Sequence, residues 1–250
     1  MTTQEVLSGS RFVTAIRDLV KDQGVTLEIG SDFEALRDAL KDQPERQCLA
    51  PAFDPEVSAI DEATGFWVLG RSRTGEIVHT QAMRTVDLGG RTLSGYLDEY
   101  FRNFTPAGYA IDFPRSRYRG APGSRMIGGK VCYHGELWLK GGPGGFRGAG
   151  LTAVLARLAL VKALLKWAPD YVFGFMFPLA ACKGLAAREG YMHTEPGTLY
   201  WAVSGQQRPL ETWTVWMSRE DIRHILQIPP IDLFAELEAD QRRREAAKAA

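Results

Sequence analysis

The residues best suited to chemistry lie in a glycine-rich run at 141–150, Gly-Gly-Pro-Gly-Gly-Phe-Arg-Gly-Ala-Gly. Gly148 and Gly150 let the backbone approach a ligand with no Cβ in the way. The run leads directly into LTAVLARLALVKALLKW at 151–167, which is rich in Leu and Ala and free of Gly and Pro. It is the strongest helix signal in the chain. The first amides of a helix have no partner inside it, and the helix dipole leaves partial positive charge there. Such a loop favours a phosphate or another anion, and Arg147 adds a charge-assisted hydrogen bond. A tight turn that merely needs glycine is the plainer alternative.

Two phosphate loops are excluded by missing parts. No Gly-Lys-Ser/Thr follows the glycines, so the lysine and magnesium-binding hydroxyl of a Walker-type nucleotide site are lacking. A dinucleotide fold needs G-x-G-x-x-G and an acidic residue ending the next strand. Here Gly148-Ala149-Gly150 runs into Leu151, Thr152 and Ala153, and the next apolar segment ends Met176-Phe177-Pro178.

A second set of polar residues lies at 105–130, where Tyr109, Arg117, Tyr118, Arg119 and Arg125 stand among prolines and glycines. Long ordered insertions often shape binding sites. Tyr109, Arg117 and Tyr118 are the candidates here for holding an acidic or phosphorylated acceptor, or phosphates of a cofactor. A solvated loop is the alternative. Trp201, Trp213 and Trp216 are candidates for a pocket wall, although aromatics at strand positions are more often core. Cys48, Cys132 and Cys182 are isolated, and no Cys/His cluster has zinc-site spacing, so no metal is expected. Cys182, in an apolar context, is expected to be buried and inert.

The elements that must position these residues follow from the pattern. VCYHGELWLK at 131–140 and YVFGFMF at 171–177 read as strands on either side of the loop and helix, giving a parallel βαβ unit. Earlier in the chain, 11–21 reads as an amphipathic helix with Ser10 as N-cap, and 25–29 as a short strand. Ser31-Asp32-Phe33-Glu34 opens a second helix to about residue 42, and 44–64 reads as a loop. Strands at 65–71 and 76–86 form a hairpin, followed by a helix at 92–104. A short helix at 179–189, strands at 197–203 and 211–217, and helices at 219–226 and from 232 complete the chain. The end, QRRREAAKAA at 241–250, is expected to be a solvated helix end, with contact in a homodimer as the alternative.

Lys plus Arg (30) balances Asp plus Glu (30), which argues against nucleic acid as a partner and against an anionic membrane surface. The start, MTTQEVLSGSRF, lacks the basic and apolar segments of a secretory signal, and no uncharged apolar run has spanning length. A soluble, cytoplasmic chain is expected.

The segment Phe146-Arg147-Gly148-Ala149-Gly150-Leu151-Thr152 resembles the pyrophosphate loop of the GNAT superfamily of acyl-CoA-dependent N-acyltransferases. That loop reads Arg or Gln, two residues, Gly, one residue, then Gly or Ala; Thr152 is the one mismatch. Ala187-Arg188-Glu189-Gly190-Tyr191 resembles the end of the family's next helix. The resemblance is strongest over 131–191 and covers about the C-terminal two-thirds of the chain. It implies an α/β, GNAT-like fold: a mixed central sheet flanked by helices, in one domain over 1–228 with an insertion at 88–130 and a helical tail at 229–250. It implies acetyl-CoA or another acyl-CoA as co-substrate and a small-molecule or peptide amine as acceptor. The pyrophosphate would rest on Arg147, Gly148, Ala149, Gly150, Leu151 and Thr152. The pantetheine would run between the diverging ends of the 131–140 and 171–177 strands, along Leu137 and Leu139. Glu136 is implied as the base, and His134, two residues away on the same alternation, as a second catalytic candidate. The family's usual acid, a tyrosine four residues before the helix-ending glycine, falls on Ala186. Tyr191, Tyr133 or water would then protonate the thiolate. A non-catalytic acyl-CoA-binding protein and an aminoacyl-transferring relative are the alternatives.

Overall fold

The protein is described by a computed structural model covering residues 1–43, 48–142, 145–147 and 150–232. Gly148, Ala149, the 44–47 part of the expected loop and the expected C-terminal helix beyond 232 lie outside the described residues.

The chain opens with α1 (Thr3–Asp22), which starts well before the expected Ser10. Thr2 and Glu5 form a capping box there, satisfying two amides at once, so the helix nucleates eight residues earlier than its apolar stripe indicates. β1 (Val25–Gly30) and α2 (Phe33–Leu40, capped by Asp32) follow, then the hairpin β2 (Gly65–Ser72) and β3 (Ile77–Val86). The 88–130 segment contains α3 (Leu93–Tyr100), which tightens into a 3-10 turn over Phe101–Phe104, and the two-residue β4 (Arg117–Tyr118). β5 (Val131–Leu139), α4 (Leu151–Trp167) and β6 (Tyr171–Met176) form the expected βαβ unit. The single short helix expected at 179–189 is two, α5 (Pro178–Cys182) and α6 (Leu185–Glu189), separated where Gly184 turns left-handed at φ +74°. β7 (His193–Trp201), β8 (Leu210–Ser218) and α7 (Arg219–Ile225) follow.

Among the described residues eight strands join one mixed sheet in the order β1-β2-β3-β5-β6-β8-β7-β4, with β5 and β6 parallel and the other pairs antiparallel. The helix, hairpin, central strand, loop, helix and strand succeed one another in the order that the sequence resemblance implied. Strand alternation sends Phe66, Val68, Cys132, Val172 and Val215 to one face, where α4, α1 and α7 cover them. It sends Trp67, Leu69, Tyr133, Phe173 and Trp216 to the other face, where α2, α3 and the Leu49–Phe53 segment pack. α4 is apolar nearly all round because α1, α6, α7 and the sheet enclose it. Trp201 and Trp216 are core, and Trp213 is half-buried. Among the described residues no helix is long and apolar enough to cross a membrane.

Candidate functional site

The central feature is a parting of two parallel strands. β5 and β6 pair at Val131↔Tyr171, Cys132↔Val172, Tyr133↔Phe173 and His134↔Gly174, and no further. Beyond that point β5 stays with β3, as far as Leu139↔His79, while β6 stays with β8, as far as Met176↔Trp213. The facing edges of 135–139 and 175–176 therefore carry backbone groups released from the sheet ladder. Gly174 sits at the fork because the strands come close there: a Cβ on it would lie 2.9 Å from the His134 carbonyl oxygen.

A β-bulge on β5 creates the fork's second feature. Ala82 of β3 pairs with Gly135 and Thr80 with Trp138, so Glu136 and Leu137 together oppose Gln81. Glu136 takes φ +58°, unusual for a residue with a side chain. Its carbonyl accepts from Thr80 Oγ1 at 2.8 Å, which holds the irregular backbone.

The bulge corrects one sequence expectation. Without it Glu136 and His134 would share a face. With it, Glu136 turns towards the α2 face, where Oε1 accepts the Ala50 amide at 2.8 Å, while His134 remains on the α4 face. The extra residue reverses the alternation.

His134 is buried in a directional chain. Gln81 Nε2 donates to the Leu155 carbonyl at 2.7 Å, which leaves Gln81 Oε1 facing His134 Nε2 at 3.1 Å. An amide oxygen only accepts, so Nε2 carries the imidazole proton. Nδ1 is then an acceptor, and the Tyr191 hydroxyl, 2.9 Å away, donates to it. Burial, with His79 nearby, pushes the imidazole down to about 3, so it is neutral at pH 7. Burial likewise holds the Tyr191 phenol well above its ordinary range.

Beside this chain lies a second buried polar group. Arg157 Nη1 donates to the Ala153 and Arg188 carbonyls at 2.8 and 2.5 Å. Glu189, 3% exposed, has a buried Oε1 without a hydrogen bond, and burial pushes its carboxyl up to about 8.

At the far end of the fork the chain turns through the glycine run. Arg147 is exposed, and its Nε donates to the Leu139 carbonyl at 2.6 Å, pinning the loop to the end of β5. Gly150 is the N-cap of α4 at φ +75°, with no side-chain cap and no acidic residue in the first turn. The amides of Leu151 and Thr152 thus open α4 with its dipole uncompensated by any carboxylate of that turn. Leu139 and Leu151 are buried, and Leu137 and Thr152 half-buried.

The other sequence candidates divide. Tyr109 stacks edge-on against Phe177, just past the end of β6, at 6.3 Å between ring centroids. Arg117 and Tyr118 form β4 on the outer edge of the sheet, with β7 and β8 between them and β6. Arg117 lies over the Tyr200 ring and Tyr118 bonds Ser124, so both belong to that edge rather than to the fork. Cys182 is exposed, contrary to expectation, because the five-residue α5 buries none of its residues. The Gln81 link and the buried Arg157 and Glu189 were missed from sequence. A glutamine inside an otherwise apolar strand and an arginine inside an apolar helix were the available signals.

No protein-family model and no curated protein sequence matches the chain. Solved structures similar to it include Arabidopsis thaliana NAA60 in complex with acetyl-CoA, at 11% identity and TM-score 0.44, over 78% of this chain and 98% of that one. Vibrio cholerae spermidine N-acetyltransferase gives 8% and 0.43, over 79% and 95%. Aminoglycoside acetyltransferase AAC(6')-Ib with coenzyme A and kanamycin gives 13% and 0.40, over 80% and 98%.

Proposed function

We propose that this protein transfers an acyl group from acyl-CoA, acetyl-CoA in the first instance, to an amine. The observation that carries the proposal is the parting of β5 and β6 after His134 and Gly174, with an uncapped, glycine-led helix N-terminus at the end of the same path. The pantetheine arm is a chain of amides, which suits the released backbone edge of β5 at Leu137; the Leu139 carbonyl already accepts from Arg147. The diphosphate suits the amides from Arg147 to Thr152 and the Arg147 guanidinium.

In the reaction the acceptor nitrogen bonds to the thioester carbonyl carbon, the C–S bond breaks, and the nitrogen gives up a proton. We assign Glu136 as the group that takes that proton, because the bulge turns its carboxylate off the strand beside the fork. His134 is a poor base, since both ring nitrogens are engaged and burial keeps it neutral. Its role is to hold Tyr191, whose hydroxyl lies 3.4 Å from the position of a Cβ on Gly174 and so beside the fork. Thiolates leave readily, so water suffices to return a proton to sulfur.

A non-catalytic acyl-CoA-binding protein is the second reading, favoured by the bond between Glu136 and the Ala50 amide. A thermal-shift series with acetyl-CoA, longer acyl-CoAs and free CoA tests donor binding, and Arg147→Glu is expected to abolish the shift. Free-thiol release with amines then separates turnover from binding. Failure of every acyl-CoA to stabilise the protein would overturn both readings.

A further inference from the structure

On the α2 face, a cavity of about 310 Å³ opens between the segment that begins at Pro51 and the 3-10 turn of the insertion. Pro51, Val57 and Phe113 supply apolar wall, and Arg102, Asn103 and Ser58 supply polar groups. Two of its lining residues are sequence neighbours of residues that contact the parted strands. Pro51 follows Ala50, whose amide donates to Glu136. Phe104, next to Asn103, packs edge-on against Tyr133 of β5 at 4.7 Å and Phe175 of β6 at 5.6 Å, one ring from each parted strand.

The charges around this cavity are unevenly matched. Arg37 pairs with Glu56 at 2.6 Å and approaches Asp54 at 3.8 Å, and Asp112 Oδ2 lies 3.8 Å from Arg115 Nη1. Arg102 is exposed, and its guanidinium lies over the Phe101 and Phe113 rings at 5.9 and 5.6 Å from their centroids. Among the described residues no carboxylate pairs with it.

We propose that this cavity holds the acceptor, and that the acceptor is a small amine with an apolar body whose other end carries a carboxylate, received by Arg102. The two aromatic faces hold the guanidinium in place while leaving its N–H fork available, which suits a planar carboxylate. Pro51, Val57 and Phe113 match the apolar body, and the amino end faces the side on which Glu136 lies. The proposal rests on the acyl-transfer reading for the direction of the amine, but the binding preference is measurable without turnover.

The test is calorimetric titration of leucine, leucinamide, phenylalanine and phenylalaninamide into the full chain saturated with CoA, with O-phosphoethanolamine and ethanolamine as a second pair. The expected result is that each amino acid binds about tenfold tighter than its amide, the difference made by one charge-assisted contact. Arg102→Gln should erase that preference and Arg102→Lys should retain part of it, with the acetyl-CoA thermal shift unchanged in both. Equal binding of acid and amide, binding of none of the four, or a preference that survives in Arg102→Gln overturns the proposal. Tighter binding of O-phosphoethanolamine than of leucine also overturns it, in favour of a phosphate ligand. Absence of thiol release alongside the expected binding pattern would remove the transfer reading and leave the cavity assignment standing.

Discussion

The two faces of the sheet meet the same fork with opposite chemistry. On the α4 face, Gln81, His134 and Tyr191 form a buried chain in which donor and acceptor alternate from the Leu155 carbonyl to the phenol. On the α2 face the surroundings are aromatic: Tyr133, Phe104, Phe173 and Phe175 pack ring against ring, beside one carboxylate and an open cavity. A single extra residue at Glu136 separates these roles. Under the proposed function, the α4 face sets the shape of the fork and the α2 face receives the acceptor and its proton. One bulge thus sends two neighbouring polar residues, His134 and Glu136, to opposite faces with different partners.

The sharpest way to break this division is at Glu136. Glu136→Gln keeps an oxygen for the Ala50 amide, so the fold should hold while thiol release falls about 10²–10⁴-fold, the usual worth of a general base. An equal fall in His134→Gln without loss of stability would place the base on the wrong face here. Next is Gly174→Ala, whose Cβ meets the His134 carbonyl at 2.9 Å. Urea unfolding should show a loss of about 1–3 kcal/mol from overpacking, together with a weakened acetyl-CoA shift. Gln81→Leu strips the acceptor from His134 Nε2 and should cost about 1–3 kcal/mol for the buried unpaired donor, with little effect on acceptor KM.

The smallest effects are in pH dependence, and they have opposite signs. Glu189 keeps its proton in the folded chain up to about 8, against an ordinary value of 4.5. Its contribution is fully present below 4.5 and is lost as pH rises through 8. Glu189→Gln should flatten that slope by on the order of 1 kcal/mol. His134 stays neutral in the folded chain down to about 3, against 6.5 unfolded, so its contribution is present above 6.5 and is lost as pH falls. Wild-type stability measured against pH should therefore decline on both sides, and each variant should relieve only its own limb.

The βαβ unit was legible because its signals are local: an apolar helix without Gly or Pro between two β-branched, aromatic strands, with φ-permissive glycines at the turn. The start of α2 was legible for the same reason, although its cap is Asp32 accepting the Ala35 amide rather than a Ser31–Glu34 capping box. The fork entered only through the resemblance, because where two parallel strands stop pairing depends on how β3 and β8 draw them apart, and those partners are distant in sequence. The bulge was hidden as well. Nothing in Gly-Glu-Leu announces an extra residue, and simple alternation placed Glu136 with His134. Arg117 and Tyr118 looked like acceptor ligands from composition alone, but their pairing with Tyr200 and Leu199 is a tertiary fact. Arg102 was overlooked because it stands inside a helix-like stretch that the 3-10 turn ends early.

The alternating chain from Leu155 to Tyr191 has a consequence for exchange with solvent. Its ring and phenolic hydrogens are each committed to one acceptor and enclosed between α4 and the sheet, so deuterium reaches them only when that helix lifts from the strands. These two hydrogens thus act as a built-in clock for the opening of the α4 layer, readable by NMR as slowly decaying downfield signals.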